Sequence, residues 1–403
     1  MSVDNYLFPF ALPYNPGFDI QAVVNTSIHL PSHSWEYGAA TMALLELYNP
    51  QNSVFGAVPF PAPILWSDDS VPAMKFGKEW IVLGGEAPNA LSDGAGATGD
   101  PASLGVIAWL IGKTDSTYGD AVVDTVDYLV QSAPRWENGA ISQRADVAEL
   151  WADFMYMAPP LLAYYAADTF NATLLYDSYK QIELQREVLI NESGHGLWRH
   201  IIGPQSQEPG LWATGNGWAI GGMTRILATI QKAPVAQFAD WKDQAIADIT
   251  GWIKEIVDGV MATELEDGMV LNYMDTDGTI EAGRIYPELS GSAMVANVVY
   301  RMAVLQPDVF GESYLAFADG IRNTLGKTDS AGHAHVTATG VVTPTVDPLN
   351  WFSTEPYTAG SPEGNAFVVM MYAAWRDCIN AGKCVYEGEV SYKRSRITRD
   401  IVE

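Results

Sequence analysis

The chain has 403 residues, of which 48% are hydrophobic, and this is enough for a large core. Its formal net charge of −26 repels nucleic acids, anionic membranes and long polyanions. We therefore expect an anionic ligand to be short and to be met by a local Arg or His side chain.

Helical patterns dominate the chain and alternate with Gly-, Pro- and Asp-rich connections. The predicted helices are 19–30, 34–48, 71–83, 100–112, 117–132, 146–168, 173–190, 215–231, 239–258, 289–304, 311–325 and 362–380. Strand patterns are short, at 269–274 and 335–337, and no Gly-rich phosphate loop opens a helix after a strand. Helices in about six sequential antiparallel pairs predict an all-α fold, a closed α/α toroid.

A single domain is expected because no linker or change in composition divides the chain. The predicted domain is 34–385, with an N-terminal extension, 1–33, that packs on it and a C-terminal tail, 386–403. Long connections fall about once per helix pair, so we expect them to collect at one end of the toroid and build a site. These connections are 49–70, 84–99, 133–145, 191–214, 259–288 and 326–361.

The most informative stretch places Asp153 among bulky aromatic and thioether side chains, between Trp151 and Met157. On the predicted helix 146–168, Asp153 shares one face with Asp146 and Glu149. A carboxyl that loses water and lies near like charges keeps its proton to higher pH, as a general acid requires. The alternative interpretation is structural, with Asp146 capping the helix and Asp153 solvated on the surface.

A second stretch brings Asn216 between Gly215 and Gly217 at a predicted helix start, shortly after His200. Glycines let the backbone approach a ligand, and Asn216 can cap the helix or donate a hydrogen bond. The alternative is a plain helix entry with Trp218 in the core and a structural His200. The other histidines lack a familiar metal spacing, so neither a metal ion nor another cofactor is expected.

Several features favour a secreted protein. Cys378 and Cys384 could close a small disulfide loop in an oxidising compartment, although two free cytosolic thiols would have the same sequence. Acceptor sequons begin at Asn25, Asn171 and Asn191. The first residues lack a signal-peptide pattern, which suggests a mature form, and no stretch has the length of a membrane span.

Five ordered motifs resemble those of the unsaturated rhamnogalacturonyl hydrolases, glycoside hydrolase family 105. Residues 151–157 resemble the family signature Trp-x-Asp-x-x-[Phe/Tyr]-Met, and the related family 88 unsaturated glucuronyl hydrolases carry a similar stretch. Residues 196–200 resemble Gly-Leu-x-x-His, and 212–218 resemble Trp-x-Arg-Gly-Asn-Gly-Trp. Residues 289–294 are similar to a Ser-Gly-Ser-Ala segment, and 361–366 match the last block, so the resemblance covers about 30 to 380.

The resemblance implies an (α/α)6 barrel, in agreement with the helix count. It implies a hydrolase of short pectin-derived oligosaccharides, which end in a uronic acid with a C4=C5 double bond. In such enzymes an Asp protonates C4, water adds at C5, and the resulting hemiketal opens to release the next sugar. One carboxyl serves as acid and then as base, so no carboxylate pair at glycosidase spacing is required.

The resemblance also implies roles for individual residues. Asp153 would be the acid and base, and Asp100 a second catalytic acid, although Asp100 directly before Pro101 also fits a helix N-cap. His200 would hold water or the uronyl ring, and Trp218 would stack on the sugar. The remaining predicted substrate-binding residues are Trp151, Met157, Arg199, Trp212, Thr214 and Asn216.

Thr214 departs from the family motif, which has Arg at this position. Without this Arg, part of the recognition of the uronic carboxylate is in question. Arg199, Arg144 or Arg135 would have to take the place of the missing Arg.

Three alternatives stay open from the sequence. The first is an unsaturated glucuronyl hydrolase acting on other lyase products. The second is an inverting glycosidase that uses Asp153 with Glu288 or Glu363, and the third is a sugar-binding protein with structural acids. We expect a small anionic oligosaccharide as partner and neither nucleic acid nor membrane. The sequence leaves the oligomeric state open, and a monomer is the expectation.

Overall fold

The computed structural model describes residues 12–66, 70–275, 278 and 280–386. The α-helices of this described part are α1 (Ile20–Ser27), α2 (Ser34–Tyr48), α3 (Pro72–Trp80), α4 (Gly105–Gly112), α5 (Ser116–Gln131), α6 (Phe154–Met157), α7 (Pro159–Asp168), α8 (Ala172–Leu189), α9 (Ala213–Lys232), α10 (Lys242–Ala262), α11 (Leu289–Leu305), α12 (Glu312–Leu325) and α13 (Pro362–Asn380). Short 3₁₀ turns connect several of them, among them Pro101–Leu104 directly before α4.

Two small antiparallel sheets lie in the connections. Strand β1 (Leu150–Trp151) pairs with β2 (Ile201–Ile202), with Leu150 opposite Ile202. Strand β3 (Val270–Leu271) pairs with β4 (Pro287–Glu288), with Val270 opposite Glu288. Each pair clips two long connections together beside the start of an inner helix.

The helices form two concentric layers, as the predicted toroid requires. The inner helices contact one another in a closed ring, in the order α2, α4, α7, α9, α11, α13 and back to α2. These helices are apolar on nearly all sides, and in α11 every residue from Leu289 to Ala303 is buried. A helix that is hydrophobic all round is stable only when it is covered on every side. The prediction of an all-α (α/α)6 barrel is therefore confirmed.

The outer layer consists of α3, α5, α8, α10, α12 and α1, which pack on α2, α4, α7, α9, α11 and α13 respectively. Helix α1 thus supplies the outer partner of the last inner helix and closes the ring between the two ends of the chain. Part of the predicted extension 1–33 therefore belongs to the barrel itself. Of the predicted tail 386–403, only Tyr386 lies within the described residues.

The prediction of one helix over 146–168 is wrong. Residues 146–149 are not helical, 150–151 form β1, and two separate helices follow. The side chain of Glu149 accepts hydrogen bonds from Trp151 Nε1 and from the backbone N–H groups of Gln205 and Ser206, which holds this segment in a loop. Asp146, Glu149 and Asp153 consequently form no stripe on one helix face.

The long connections do not all lie at one end, as the sequence had suggested. Residues 49–66 leave the C-terminal end of α2, whereas the other long connections contribute to the end where the inner helices begin. Cys378 and Cys384 form a disulfide at the end of α13, so the open question about this pair is answered. No helix in the described ranges is long and apolar enough to cross a membrane.

Gly222 allows α9 to approach the segment that carries Asp153. A Cβ atom at this position would overlap the carbonyl group of Met155, whereas a Cβ on Gly251, in α10, would have nothing within 4 Å. We expect Gly222→Ala to lower the free energy of unfolding by about 1–3 kcal/mol because the packed backbone must move. Gly251→Ala should raise it by about 0.5–1 kcal/mol. Denaturant unfolding of both variants checks this, and equal effects would contradict the close approach.

Candidate active site

A cavity of about 310 Å³ opens at the end of the barrel where the inner helices begin. Its acidic lining residues are Asp100, Asp153 and Glu363, which come from three different segments of the chain. Asp100 precedes the 3₁₀ turn that leads into α4, Asp153 directly precedes α6, and Glu363 lies in the first turn of α13. The ring of inner helices therefore brings these carboxyl groups together.

Asp153 forms a short chain of contacts with His200 and Glu208. The Nε2 atom of His200 lies 3.3 Å from Oδ2 of Asp153, and its Nδ1 atom lies 3.2 Å from Oε2 of Glu208. Asp153 is 9% exposed and His200 is 1% exposed, so bulk water does not screen their interaction. Glu208 also accepts a hydrogen bond of 2.7 Å from the hydroxyl of Tyr273.

The two carboxylates determine the protonation of His200. Burial alone would lower the pKa of His200, but the charges and hydrogen bonds of Asp153 and Glu208 outweigh it and raise that pKa above its ordinary value. Burial opposes the ionisation of Glu208 in turn, yet its contacts with His200, Tyr273 and Arg284 hold the pKa of Glu208 below its ordinary value. The contact between His200 and Asp153 is therefore an ion-pair contact that favours the protonated imidazole, although its geometry is not that of a hydrogen bond.

Asp100 does not act as a helix cap, because its side chain makes no capping hydrogen bond. It accepts a hydrogen bond of 2.7 Å from Nε2 of Gln143 instead. The pKa of Asp100 is raised to about 7, because burial raises it more than the bond from Gln143 lowers it and the negative charge of Asp153 adds to the rise. Asp100 therefore keeps its proton in mildly acidic solution.

Glu363 is the third acid of the cavity and is 2% exposed. Its Oε1 atom accepts a hydrogen bond of 2.9 Å from Trp35 Nε1, whereas Oε2 has no hydrogen-bond partner among the described residues. Burial, followed by the charge of Asp153, raises the pKa of Glu363 well above its ordinary value. Burial therefore favours the neutral form of this carboxyl.

Three tryptophans surround the imidazole of His200 and complete the wall of the cavity. The ring centroids of Trp212, Trp351 and Trp151 lie 4.4, 5.4 and 5.7 Å from that of His200. Trp151 and Trp351 also meet edge to face, with centroids 5.6 Å apart. Such walls suit a ligand with apolar faces and polar edges, as a sugar ring has.

Arg144 is the one Arg or Lys side chain among the described residues that line this cavity. Its guanidinium carbon lies 4.9 Å from the centroid of Trp151, and its Nε atom is 4.0 Å from Oε1 of Glu149 without forming a hydrogen bond. The side chain is 25% exposed, so part of the guanidinium can receive an anion.

Four residues predicted to bind substrate lie outside the cavity lining. The hydroxyl of the buried Thr214 donates a hydrogen bond of 3.2 Å to Glu288. Thr214, which stands where the family motif has Arg, therefore points between α9 and α11 and not into the cavity. The side chain of Asn216 bonds the backbone of Trp198 and Trp212 and holds the two segments together.

Trp218 is fully buried between Tyr156 and Phe367, so no sugar ring can stack on it in this conformation. Arg199 donates to the backbone carbonyl of Ile190, away from the cavity. Arg135, another candidate to replace the family Arg, bonds the carbonyls of residues 129, 130 and 139 at a separate surface. Of the three candidates, only Arg144 reaches the site.

The remaining predicted residues, Asp100, Trp151, Asp153, Met157, His200 and Trp212, all line the cavity. The motifs could not indicate Glu208, Trp35 and Trp351, which belong to the site. Trp351 lies in the long connection 326–361, whose length was the only signal. Glu288, an alternative catalytic carboxylate, accepts the backbone N–H groups of Ser290 and Gly291 as the cap of α11 and does not line the cavity.

Within the described ranges, no group of three or more His, Cys, Asp or Glu side chains is arranged to hold a metal ion. The chemistry available from the described residues is proton transfer beside an anion-binding Arg and aromatic walls.

The fold and the cavity define the class of the protein as a glycoside hydrolase built on the barrel of six helical hairpins. The model of Glycosyl Hydrolase Family 88 matches residues 102–376, most of the barrel. The chain belongs to this family, and its membership supports an unsaturated uronyl hydrolase as the class of enzyme. No curated protein sequence matches the chain.

Solved structures with low sequence identity share the fold. A possible member of family 105 from Salmonella enterica serovar Paratyphi A is 14% identical, with a TM-score of 0.67 over 92% of this chain and 96% of that one. A family 105 glycoside hydrolase from C. acetobutylicum is 15% identical, with a TM-score of 0.64 over 89% and 99%. An unsaturated glucuronyl hydrolase from Bacillus sp. GL1 is 14% identical, with a TM-score of 0.57 over 87% and 94%.

Glu208→Gln should lower the pKa of His200, because it removes one of the two negative charges that hold the imidazolium. His200 should then lose its proton at lower pH than in the wild type. The pH titration of the imidazole C–H signals, followed by NMR, measures the change. Glu266→Gln, at an exposed acid away from the cavity, is the control. An unchanged midpoint in Glu208→Gln would contradict the electrostatic coupling.

Proposed function

We propose that the enzyme removes the 4,5-unsaturated uronic acid from the non-reducing end of short pectin-derived oligosaccharides of the rhamnogalacturonan type. The observation that carries the proposal is the Asp153–His200 pair in a cavity that holds one arginine and four tryptophans. The five motifs that resemble family 105 support the choice of substrate. The cavity, at about 310 Å³, is of a size for the terminal part of a short oligosaccharide.

In the proposed reaction, Asp153 transfers a proton to C4 of the double bond, and the Asp153 carboxylate then accepts a proton from the water that adds at C5. The proton taken from the water replaces the one given to C4, so Asp153 and His200, 3.3 Å apart, end each turnover with the proton that they began with. The hemiketal at C5 then opens and the glycosidic bond is lost, so that the next sugar leaves with its hydroxyl group. No bond from the enzyme to the sugar is formed.

Asp100 and Glu363 contribute through their protonated state. Burial raises the pKa of Asp100 to about 7, so this carboxyl is neutral in mildly acidic solution, and burial also raises the pKa of Glu363 and favours its neutral form. A uronate carboxylate can therefore approach without repulsion from two more negative charges, and the neutral carboxyls can donate hydrogen bonds to it. Above pH 7 Asp100 ionises, so we expect substrate binding to weaken there.

We also propose that the protein works outside the cell. The Cys378–Cys384 disulfide supports this location, because disulfides persist in oxidising compartments.

A second candidate function, inverting hydrolysis of a saturated glycoside, is favoured by one observation. Glu363 and Asp153 line the same cavity, and burial raises the pKa of Glu363, which favours the protonated form that a general acid needs. The two functions differ in their substrate, because this second reaction needs no C4=C5 double bond. Release of sugar from a saturated oligosaccharide would support it, and release only from lyase-generated oligosaccharides supports hydration.

Asp153→Asn should lower kcat on a lyase-generated rhamnogalacturonan disaccharide by about 10²-fold to 10⁴-fold, because the amide cannot donate the proton to C4. Loss of the ultraviolet absorbance of the conjugated double bond measures the reaction directly. Asp146→Asn, which changes an exposed acid of the same segment outside the cavity, should keep the wild-type rate. Wild-type decay of the absorbance in Asp153→Asn would overturn the assignment.

Arg144→Met should raise KM for the unsaturated disaccharide by about 10-fold to 100-fold and change kcat little, because a charge-assisted hydrogen bond to the uronate is lost. Arg199→Met is the matched control, since Arg199 bonds a backbone carbonyl outside the cavity. Steady-state kinetics on galacturonyl and glucuronyl disaccharides measure both variants. Equal KM values in the two variants would show that Arg144 does not bind the substrate.

A further inference from the structure

A second cavity, of about 630 Å³, lies at the opposite end of the barrel, where the inner helices α2, α9, α11 and α13 end. It is twice as large as the cavity that contains Asp153. Lys232 and Arg301 line it together with the amide side chains of Gln51, Gln231 and Asn380. None of these residues has a place in the proposed reaction.

Basic side chains collect at the wall of this second cavity and behind it, in a strongly acidic protein. Arg225 and Arg301 both contact the carboxylate of Glu46, and Arg301 Nη1 lies 2.5 Å from Oδ2 of Asp377. The guanidinium of Arg376 is the third in this region and also contacts Asp377, and Lys232 adds an ammonium group. Four basic side chains thus meet two carboxylates in this region, and the charged residues that line the cavity itself are Lys232, Arg301 and Asp377.

Cations at the C-terminal ends of helices often serve only to satisfy free carbonyl groups. An explanation by backbone carbonyl acceptors covers three of the four, although the carbonyl of Gly221 lies within α9 and not at its end. Arg376 donates to the carbonyls of Leu47 and Glu46, Arg225 to that of Gly221, and Lys232 to that of Val54. It does not cover Arg301.

Arg301 is 3% exposed and donates to no carbonyl group in the described part of the chain. Its Nε atom is buried without a hydrogen-bond partner, and the guanidinium carbon lies 4.1 Å from the centroid of Phe55, which also lines the cavity. A buried donor without a partner costs about 1–3 kcal/mol. The hydrogen-bonding capacity of this guanidinium at the cavity wall is therefore not filled by the described residues.

We propose that this second cavity is a binding site for a small hydroxylated anion, a sugar acid or sugar phosphate whose acidic group is met by Arg301 and Lys232. The amides of Gln51, Gln231 and Asn380 would bind the hydroxyl groups. The site is about one helix length away from the cavity of Asp153 along α9, α11 and α13, so both can be occupied at once. The inference does not depend on the substrate proposed above.

The ionisation of Lys232 provides an independent signature of binding. Burial and then the charge of Arg301 lower the pKa of Lys232 to about 8. A bound anion favours the charged ammonium and raises that pKa, so binding takes up a proton near pH 8. Affinity should therefore be full below pH 8 and fall as the pH rises through it.

Isothermal titration calorimetry with D-glucuronate, glucose 6-phosphate and glucose tests the proposal. We expect the first or the second to bind, which distinguishes a carboxylate from a phosphate ligand, and neutral glucose not to bind. Lys232→Met should weaken binding by about tenfold or more, because one of the two charges that meet the anion is lost. The unsaturated-disaccharide assay of the same variant should stay at the wild-type rate, which separates this site from the catalytic cavity.

A pair of variants at the exposed Gln51 covers the case in which Lys232→Met does not fold. Gln51→Glu should weaken binding and Gln51→Lys should strengthen it, each by about two- to fivefold, since they place opposite charges at the rim. Binding that is the same in both variants would overturn the proposal, because the anion would then occupy another cavity. Absence of binding by both anions at millimolar concentration would overturn it as well.

Discussion

The closed ring of six buried inner helices is the constraint on which the rest of the structure depends. Each inner helix must be covered on all sides, so the six run in the same direction inside the outer layer and expose only their ends. Their N-terminal ends, which carry partial positive charge, collect Asp100, Asp153 and Glu363. Their C-terminal ends, which carry partial negative charge, collect Lys232 and Arg301. The barrel therefore places a cluster of three acids and Arg144 in one cavity, and Lys232 and Arg301 with Asp377 in the other.

Burial gives the acidic end its chemistry. A carboxyl that leaves water keeps its proton, and Asp100 and Glu288 both have a pKa raised to about 7 for this reason. The two differ in what they face. Glu288 accepts two backbone N–H groups and the hydroxyl of Thr214 and so completes the start of α11, whereas Asp100 lines the cavity beside Asp153. Burial thus raises the pKa of both carboxyls, but Glu288 stabilises the start of α11, whereas Asp100 is available to a ligand in the cavity.

Several residues that do not line the cavity hold the candidate catalytic residues in place. Asn216 ties the segment before His200 to the start of α9, and Glu208 holds the second ring nitrogen of His200. The close packing of α9 at Gly222 against the backbone of Met155 keeps Asp153 within reach of the imidazole. A substrate-binding role was predicted for Asn216 because it lies in a motif, but its side chain instead bonds the backbone of the segments that form the wall of the cavity.

The sequence by itself determined the helical barrel, because the periodicity of apolar residues dictates which segments must be buried, and it indicated Asp153, Asp100 and His200 by their motifs. It could not determine which way individual side chains face. Trp218 lies in the core and Trp351 in the cavity, although both are tryptophans near long connections. The break of the predicted helix 146–168 follows from hydrogen bonds of Glu149 to residues more than fifty positions away. Only the tertiary structure decided these points, because long-range contacts, which leave no local pattern, provide the competing hydrogen bonds and the burial.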